Sequence, residues 1–180
     1  MGHDGGRLIV WPRAGQPRLL AMPRGEAPYG RAAIDDDGTV AARTGHVAAG
    51  ALRWRTYTWT PTGARVPRPA ADVQDLRHGR LVGATGDPEG VTAAASWRTN
   101  NDPRPYVGGT KAVAMNDKDV VVGEGRNGEP LAWNGVLPAP LPTPLSHTPG
   151  TVTALNETEA GGFTNPSDGE GPVPIRWRCR

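Results

Sequence analysis

A motif returns about every forty residues, and it limits what this chain can fold into. The clearest copy is Ala112-Val113-Ala114-Met115-Asn116-Asp117-Lys118-Asp119-Val120-Val121-Val122-Gly123, which reads as strand, polar turn, strand. A second copy lies at Ala33-Ile34-Asp35-Asp36-Asp37-Gly38-Thr39-Val40 and a third at Ala154-Leu155-Asn156-Glu157-Thr158-Glu159-Ala160. Ile34 to Met115 is 81 residues and Met115 to Leu155 is 40, so a further copy is due near position 75. It is found there in degenerate form, as Asp75-Leu76-Arg77-His78-Gly79-Arg80-Leu81-Val82-Gly83. The turn position falls on Gly38, Gly79, Asp119 and Glu159. Gly and Asp suit a left-handed residue closing a hairpin, whereas Glu does not, so the last copy is expected to be distorted.

Tryptophan marks a second place in the repeat. Trp11, Trp59, Trp97, Trp133 and Trp177 are spaced by 48, 38, 36 and 44 residues, and each ends a short β-prone run. Turn residues follow the first four, and Trp133-Asn134-Gly135 is the strongest short hairpin signal. One unit therefore holds four short strands in about forty residues, which is the arithmetic of a propeller blade. The expected fold is all-β: a β-propeller or partial propeller of about four four-stranded blades, as a closed small ring or an open arc. A single repeat domain would span residues 1–180, with units near 1–30 (partial), 31–70, 71–111, 112–150 and 151–180 (partial). Leu, Ile, Val and Phe make up only 30 of 180 residues. With so few aliphatics, the five periodic tryptophans are expected in the core, wedged between sheets. Trp54, off the period, is the one expected to be exposed.

Residues 112–133 resemble the HAF-type repeats of predicted extracellular bacterial proteins, with weaker copies over almost the whole chain. The resemblance implies a propeller-like fold, frequent secretion and no established catalytic residues. The chain departs from it in lacking the His-Ala-Phe signature. Ile9, Tyr57, Ala95, Leu131 and Ile175 stand two residues before each tryptophan, where Phe is expected. From its start as given the chain reads as cytoplasmic, without a signal peptide. The resemblance implies an extracellular location if the N-terminus is truncated.

Composition argues against several function classes. Eighteen of the 20 basic residues are arginine, yet they are spread: 14 basic and 10 acidic residues in 1–110, 6 and 8 in 111–180. This gives no basic stripe for nucleic acid. No apolar run is long enough for a membrane helix. The single cysteine, Cys179, forms no internal disulfide.

No chemical constellation stands out, so catalytic, cofactor-binding and metal residues are all expected to be none, with no cofactor. Asp35-Asp36-Asp37-Gly38 lacks the alternating ligands of a calcium loop and reads as a turn. His3, His46, His78 and His147 lack zinc spacing. Ser96, Ser146 and Ser167 sit in no nucleophile elbow, and Asp168 and Glu170 lie in a glycine-rich loop. Asn156-Glu157-Thr158 fits a sequon but is explained as a turn. The expected function is a non-enzymatic binding or scaffold module for an unknown protein or glycan, with a homodimer completing the ring as one option. Binding would use the variable loops Arg43–Arg53, Gly83–Val91, Asn100–Gly109, Leu137–Gly150 and Thr164–Pro174. One alternative is a truncated or degraded fragment of a longer secreted repeat protein. Another is a propeller enzyme acting on glycans, which would use Asp36, Asp117 and Glu157 as facing carboxylates.

Overall fold

The structure, a computed structural model, describes residues 2–4, 6–11, 15–68, 72–86, 92–98 and 102–178. Cys179 and parts of the loops near residues 87–91 and 99–101 lie outside them. No helix occurs among the described residues, and the strands form five antiparallel sheets in chain order. The first holds β1 (Gly2–Asp4), β2 (Arg7–Val10) and β3 (Arg18–Leu20). The second holds β4 (Ala27–Ile34), β5 (Val40–Ala48), β6 (Ala51–Trp59) and β7 (Arg65–Arg68). The third holds β8 (Asp72–Arg77), β9 (Arg80–Thr85), β10 (Ala93–Trp97) and β11 (Pro103–Pro105). The fourth holds β12 (Gly109–Met115), β13 (Val120–Gly125), β14 (Pro130–Asn134) and β15 (Pro138–Pro140). The fifth holds β16 (His147–Leu155), β17 (Glu159–Pro166) and β18 (Val173–Arg178).

Each complete sheet is a meander with strand positions a, b, c and d, the periodic tryptophan closing strand c. By that marker the first sheet supplies b, c and d, and the fifth supplies a, b and c. Sequence periodicity gives about four units; the structure divides the same residues into three complete sheets flanked by two three-stranded ones.

No sheet owns a core. Each of four buried clusters is shared between consecutive sheets. Leu8, Val10 and Leu20 meet Val40, Tyr57 and Trp59. Ala33 and Ala41 meet Leu81 and Trp97. Val82 and Ala94 meet Met115, Val121 and Trp133. Val113 and Val122 meet Val152, Ala160 and Trp177. Adjacent strand-b residues point to opposite faces, so Val121 packs backwards on the third sheet while Val122 packs forwards on the fifth. The paired valines of the motif thus serve two interfaces at once. Among the described residues no cluster joins the fifth sheet to the first.

In the second to fifth sheets the tryptophan of strand c faces the preceding sheet. Trp59, Trp97, Trp133 and Trp177 are 0–5 % exposed. Three of them also fasten the segment that links the two sheets. Nε1–H donates to the carbonyl of Ala21 at 3.0 Å from Trp59, of Val107 at 3.0 Å from Trp133, and of Pro142 at 2.7 Å from Trp177. Trp97 Nε1 is buried with no partner among the described residues. Trp11 corrects the expectation of a core tryptophan: it is 53 % exposed and belongs to none of the buried clusters among the described residues. Trp54, expected to be exposed, is instead half-buried.

The glycine that ends the Val-Val-Gly motif has a steric cause. Strand a carries a β-bulge between Val73 and Asp75, between Ala112 and Ala114, and between Val152 and Ala154. The bulge drives a strand-a carbonyl against strand b. A Cβ on Gly83, Gly123 or Gly162 would lie 1.9–2.0 Å from the carbonyl oxygen of Asp72, Lys111 or Thr151. In the second sheet the irregularity falls earlier, between Pro28 and Ala32, and alanine is accommodated at Ala42.

Two substitutions separate this steric role from glycine content as such. Gly123→Ala should destabilise by about 1–3 kcal/mol, as overpacking against a backbone that cannot retreat does. Gly161→Ala, where an added Cβ meets nothing within 4 Å, should change stability by less than about 0.5 kcal/mol. Urea unfolding of both variants checks the pair.

Candidate functional site

The meander sorts the connections onto two ends. The a–b and c–d turns leave one side of each meander and the b–c connections leave the other.

At the first end, the a–b turns of successive sheets form a ladder of polar contacts. The Asp35 carboxylate accepts from the backbone N–H of His78 at 3.0 Å and of Gly79 at 2.6 Å, one sheet on. The Asp75 carboxylate accepts from Met115 N–H at 3.0 Å, and Asn116 Nδ2 donates to the Asn156 carbonyl at 3.2 Å. Arg80, itself buried, reaches Asp119 at 2.9 Å. Within the turns, Asn116 Oδ1 accepts from Lys118 N–H and Val120 N–H, both at 3.0 Å. Asn156 Oδ1 does the same for Thr158 and Glu159 at 2.9 and 2.8 Å, in keeping with a turn.

Backbone angles match the turn residues. Gly38, Gly79 and Asp119 have φ of 85°, 70° and 61°. The degenerate third-sheet copy is well formed: His78 and Gly79 both have positive φ, which closes a two-residue hairpin between Arg77 and Arg80. Leu155 pairs with Ala160 while Met115 pairs with Val121, so the last turn is one residue shorter and Glu159 needs no left-handed angle.

The carboxylates considered for glycan chemistry all sit on this end. Asp117 Oδ1 accepts from Arg77 Nε at 2.5 Å and lies 3.0 Å from His78 Nε2. Glu157 accepts from Asp117 N–H at 3.0 Å and lies 4.0 Å from Arg77. Asp36 stands exposed beside a cleft of about 860 Å³ bounded by Trp11, Arg18 and Pro61. The Arg77 hydrogen bond, reinforced by His78, holds Asp117 below the usual carboxylate range. That is opposite to what a general acid needs. Nor do these groups bracket a space: Asp117 and Glu157 are adjacent rungs of one ladder. Asp35-Asp36-Asp37 is likewise a turn, with Asp36 N–H on Asp35 Oδ1 at 2.8 Å and Thr39 N–H on Asp37 Oδ1 at 2.7 Å. No group of His, Cys, Asp or Glu among the described residues has metal-binding geometry.

The opposite end carries a cleft built by three consecutive sheets. Segment 43–53, read from sequence as a loop, is instead a hairpin of β5 and β6 paired from Val40–Trp59 to Ala48–Ala51. Its two-residue turn has positive φ at Ala49 and Gly50. The Arg-Trp-Arg-Thr-Tyr-Thr alternation of β6 extends the strand beyond its core portion. Trp54 lies on this extension with its ring centroid 3.8 Å from that of Tyr29, tilted by 42°. The Arg43 guanidinium stands 4.9 Å from the Tyr29 centroid and 5.0 Å from that of Trp54. Gly45 makes room for the indole, since a Cβ there would be 2.9 Å from it. Asp72 of the third sheet and Lys111 of the fourth complete a cleft of about 270 Å³. Arg43 pairs with Asp72 at 4.0 Å and Lys111 with Glu124 at 3.2 Å. The cleft therefore offers aromatic surface amid compensated charges. The sequence placed Tyr29 nowhere in particular and Trp54 outside the period.

The lowered pKa of Asp117 makes a pH prediction for the ladder. A carboxylate whose folded pKa is depressed stabilises above its unfolded value, about 4, and loses that stabilisation as pH falls through the lower folded value. Asp117→Asn should therefore melt below the parent at pH 7 and converge with it in acid. Thermal unfolding across pH 2–7 tests this; a gap that persists at the acid limit would refute the assignment.

Compared with protein-family models, with curated proteins and with solved structures, the chain matches none.

Proposed function

We propose that the chain is an arc of a β-propeller-like repeat structure acting as a non-enzymatic binding module, with the Tyr29–Trp54 cleft as its ligand site and a glycan as the ligand. The observation that carries this reading is the cleft itself: two tilted aromatic rings, a guanidinium against both, and polar groups from two further sheets. Sugar rings present apolar C–H faces that lie on aromatic planes, and hydroxyls that meet fixed polar groups. Arg43 and Lys111 are each neutralised by a carboxylate, which favours a neutral saccharide over an anionic one.

The propeller-like reading is supported by the meander within each sheet, the sheet-to-sheet burial and the forty-residue period. It agrees with the resemblance of residues 112–133 to the HAF-type repeats. The binding end agrees with propeller logic too, since the connections between strands carry recognition while the sheets hold them. The HAF resemblance also motivates an extracellular setting, where glycans are the abundant ligands.

Trp54→Ala and Tyr29→Ala should each weaken binding of the best saccharide from a glycan array by about tenfold or more, as loss of a stacking ring does. Titration calorimetry on folded variants measures it. Unchanged affinity in both would remove the cleft from the binding site.

A further inference from the structure

Two asparagines in the chain precede glycine, Asn127 and Asn134, and both belong to the fourth sheet. Asn127 lies in the b–c turn, and Asn134 opens the c–d turn. This dipeptide has a chemistry of its own. A glycine nitrogen, with no Cβ beside it, can reach the side-chain carbonyl carbon of the asparagine before it and close a succinimide ring. The two turns differ in the features that govern that step.

The Asn127 turn is locked. Gly125 N–H donates to Glu129 O at 2.8 Å. Gly128 N–H, on the nitrogen that would attack, donates to Gly125 O at 3.1 Å. The Glu129 carboxylate accepts from Asn127 N–H at 2.8 Å. Its negative charge opposes removal of the Gly128 proton, since a like charge nearby disfavours ionisation.

The Asn134 turn is open. The strand pair nearest to it is Trp133 with Pro138, and Pro138 has no N–H to give. Among the described residues Gly135 N–H donates to no backbone carbonyl. Asn134 is exposed, Gly135 has φ of 100°, and the place where its Cβ would stand has no atom within 4 Å. The attacking nitrogen thus has no competing acceptor and no obstruction. The same turn holds a neighbour in place. Val107 N–H donates to Val136 O at 3.1 Å, and the Trp133 indole donates to Val107 O at 3.0 Å. Together they clasp the segment linking the third and fourth sheets.

We propose that Asn134 is a self-modification site, which converts to aspartate and isoaspartate in the folded protein and so releases this clasp. The Gly135 nitrogen gives its proton to solvent base and bonds to Asn134 Cγ. The Cγ–Nδ2 bond breaks, and Nδ2 takes a proton from solvent and leaves as ammonia. Water then opens the imide at either of its carbonyls, and nothing is oxidised or reduced. One opening leaves aspartate, with a new negative charge in the turn. The other leaves isoaspartate, whose main chain runs through Cβ and Cγ and is longer by a methylene. The longer turn carries Val136 out of register with Val107.

The test ages the intact protein in mildly alkaline buffer and follows the amide-to-acid conversion at each asparagine by tandem mass spectrometry. Asn134 is expected to convert about tenfold faster than Asn127, which keeps its hydrogen bond and its neighbouring carboxylate. In protein unfolded by urea the preference should vanish, because both asparagines precede glycine. Aged protein should also show moved amide NMR signals for Val107 and Val136 and a moved indole signal for Trp133. The protein is unaltered in every arm, so no result depends on a variant that fails to fold. No conversion at Asn134 in folded protein, equal or faster conversion at Asn127, or a preference that persists unchanged in urea would each overturn the site. Unmoved Val107 and Trp133 signals in converted protein would overturn the release of the clasp.

Discussion

Everything in this fold rests on burial between sheets rather than within them. Each sheet is too small and too poor in Leu and Ile to enclose a core, so each of its faces needs a neighbour. The strand-c tryptophan meets that need on one side. A buried indole removes about 150–250 Å² from water, worth roughly 4–6 kcal/mol by area as an upper bound. At Trp59, Trp133 and Trp177 the indole N–H also satisfies a carbonyl of the linker, which fixes where the chain crosses from one sheet to the next. Strand b completes the interface by alternation, with one residue of each pair facing each neighbour.

That division of labour decides which end is free to vary. The a–b turns must reproduce the ladder, since Asp35, Asp75 and Asn116 each bond to backbone one sheet on. Side chains there are committed to holding register. Among the described residues the b–c connections and the links carry no such ladder, and they differ in length and composition from sheet to sheet. The β5–β6 hairpin shows what this permits. It projects Trp54 over Tyr29 without disturbing the Val40–Trp59 pairing at its base.

What the sequence disclosed follows from period and turn chemistry. The Asn-Asp turns, the left-handed positions and the Trp133-Asn134-Gly135 hairpin were legible because each depends on local backbone demands. The tryptophan period exposed the sheet interfaces for the same reason: a large side chain returning at one register must fill a repeated space. The hairpin at 43–53 was read as a loop because Thr44, Gly45 and His46 break the apolar alternation that marks a strand. The bulge behind Gly83, Gly123 and Gly162 was not legible either, since a carbonyl 2 Å from an absent Cβ leaves only a glycine in the sequence. The cleft was missed because its members come from three sheets and share no spacing.

Trp11 shows why residue type alone cannot assign burial in a layered repeat. It follows the same kind of run as its four counterparts, yet they are 0–5 % exposed and it is 53 % exposed. Leu19, opposite Ile9 and so on the same outward face, is 56 % exposed. The fifth sheet turns a different face to solvent. Where the fourth sheet places Val113, Val122 and Ala132 against its neighbour, the fifth places Thr153, Gly161 and Arg176. Arg176 also pairs with Glu159 at 3.5 Å. One terminal sheet therefore presents apolar side chains and the other small or charged ones, although both are built on the same repeat. The repeat fixes which way a position points, and the presence of a facing sheet fixes whether that position is buried.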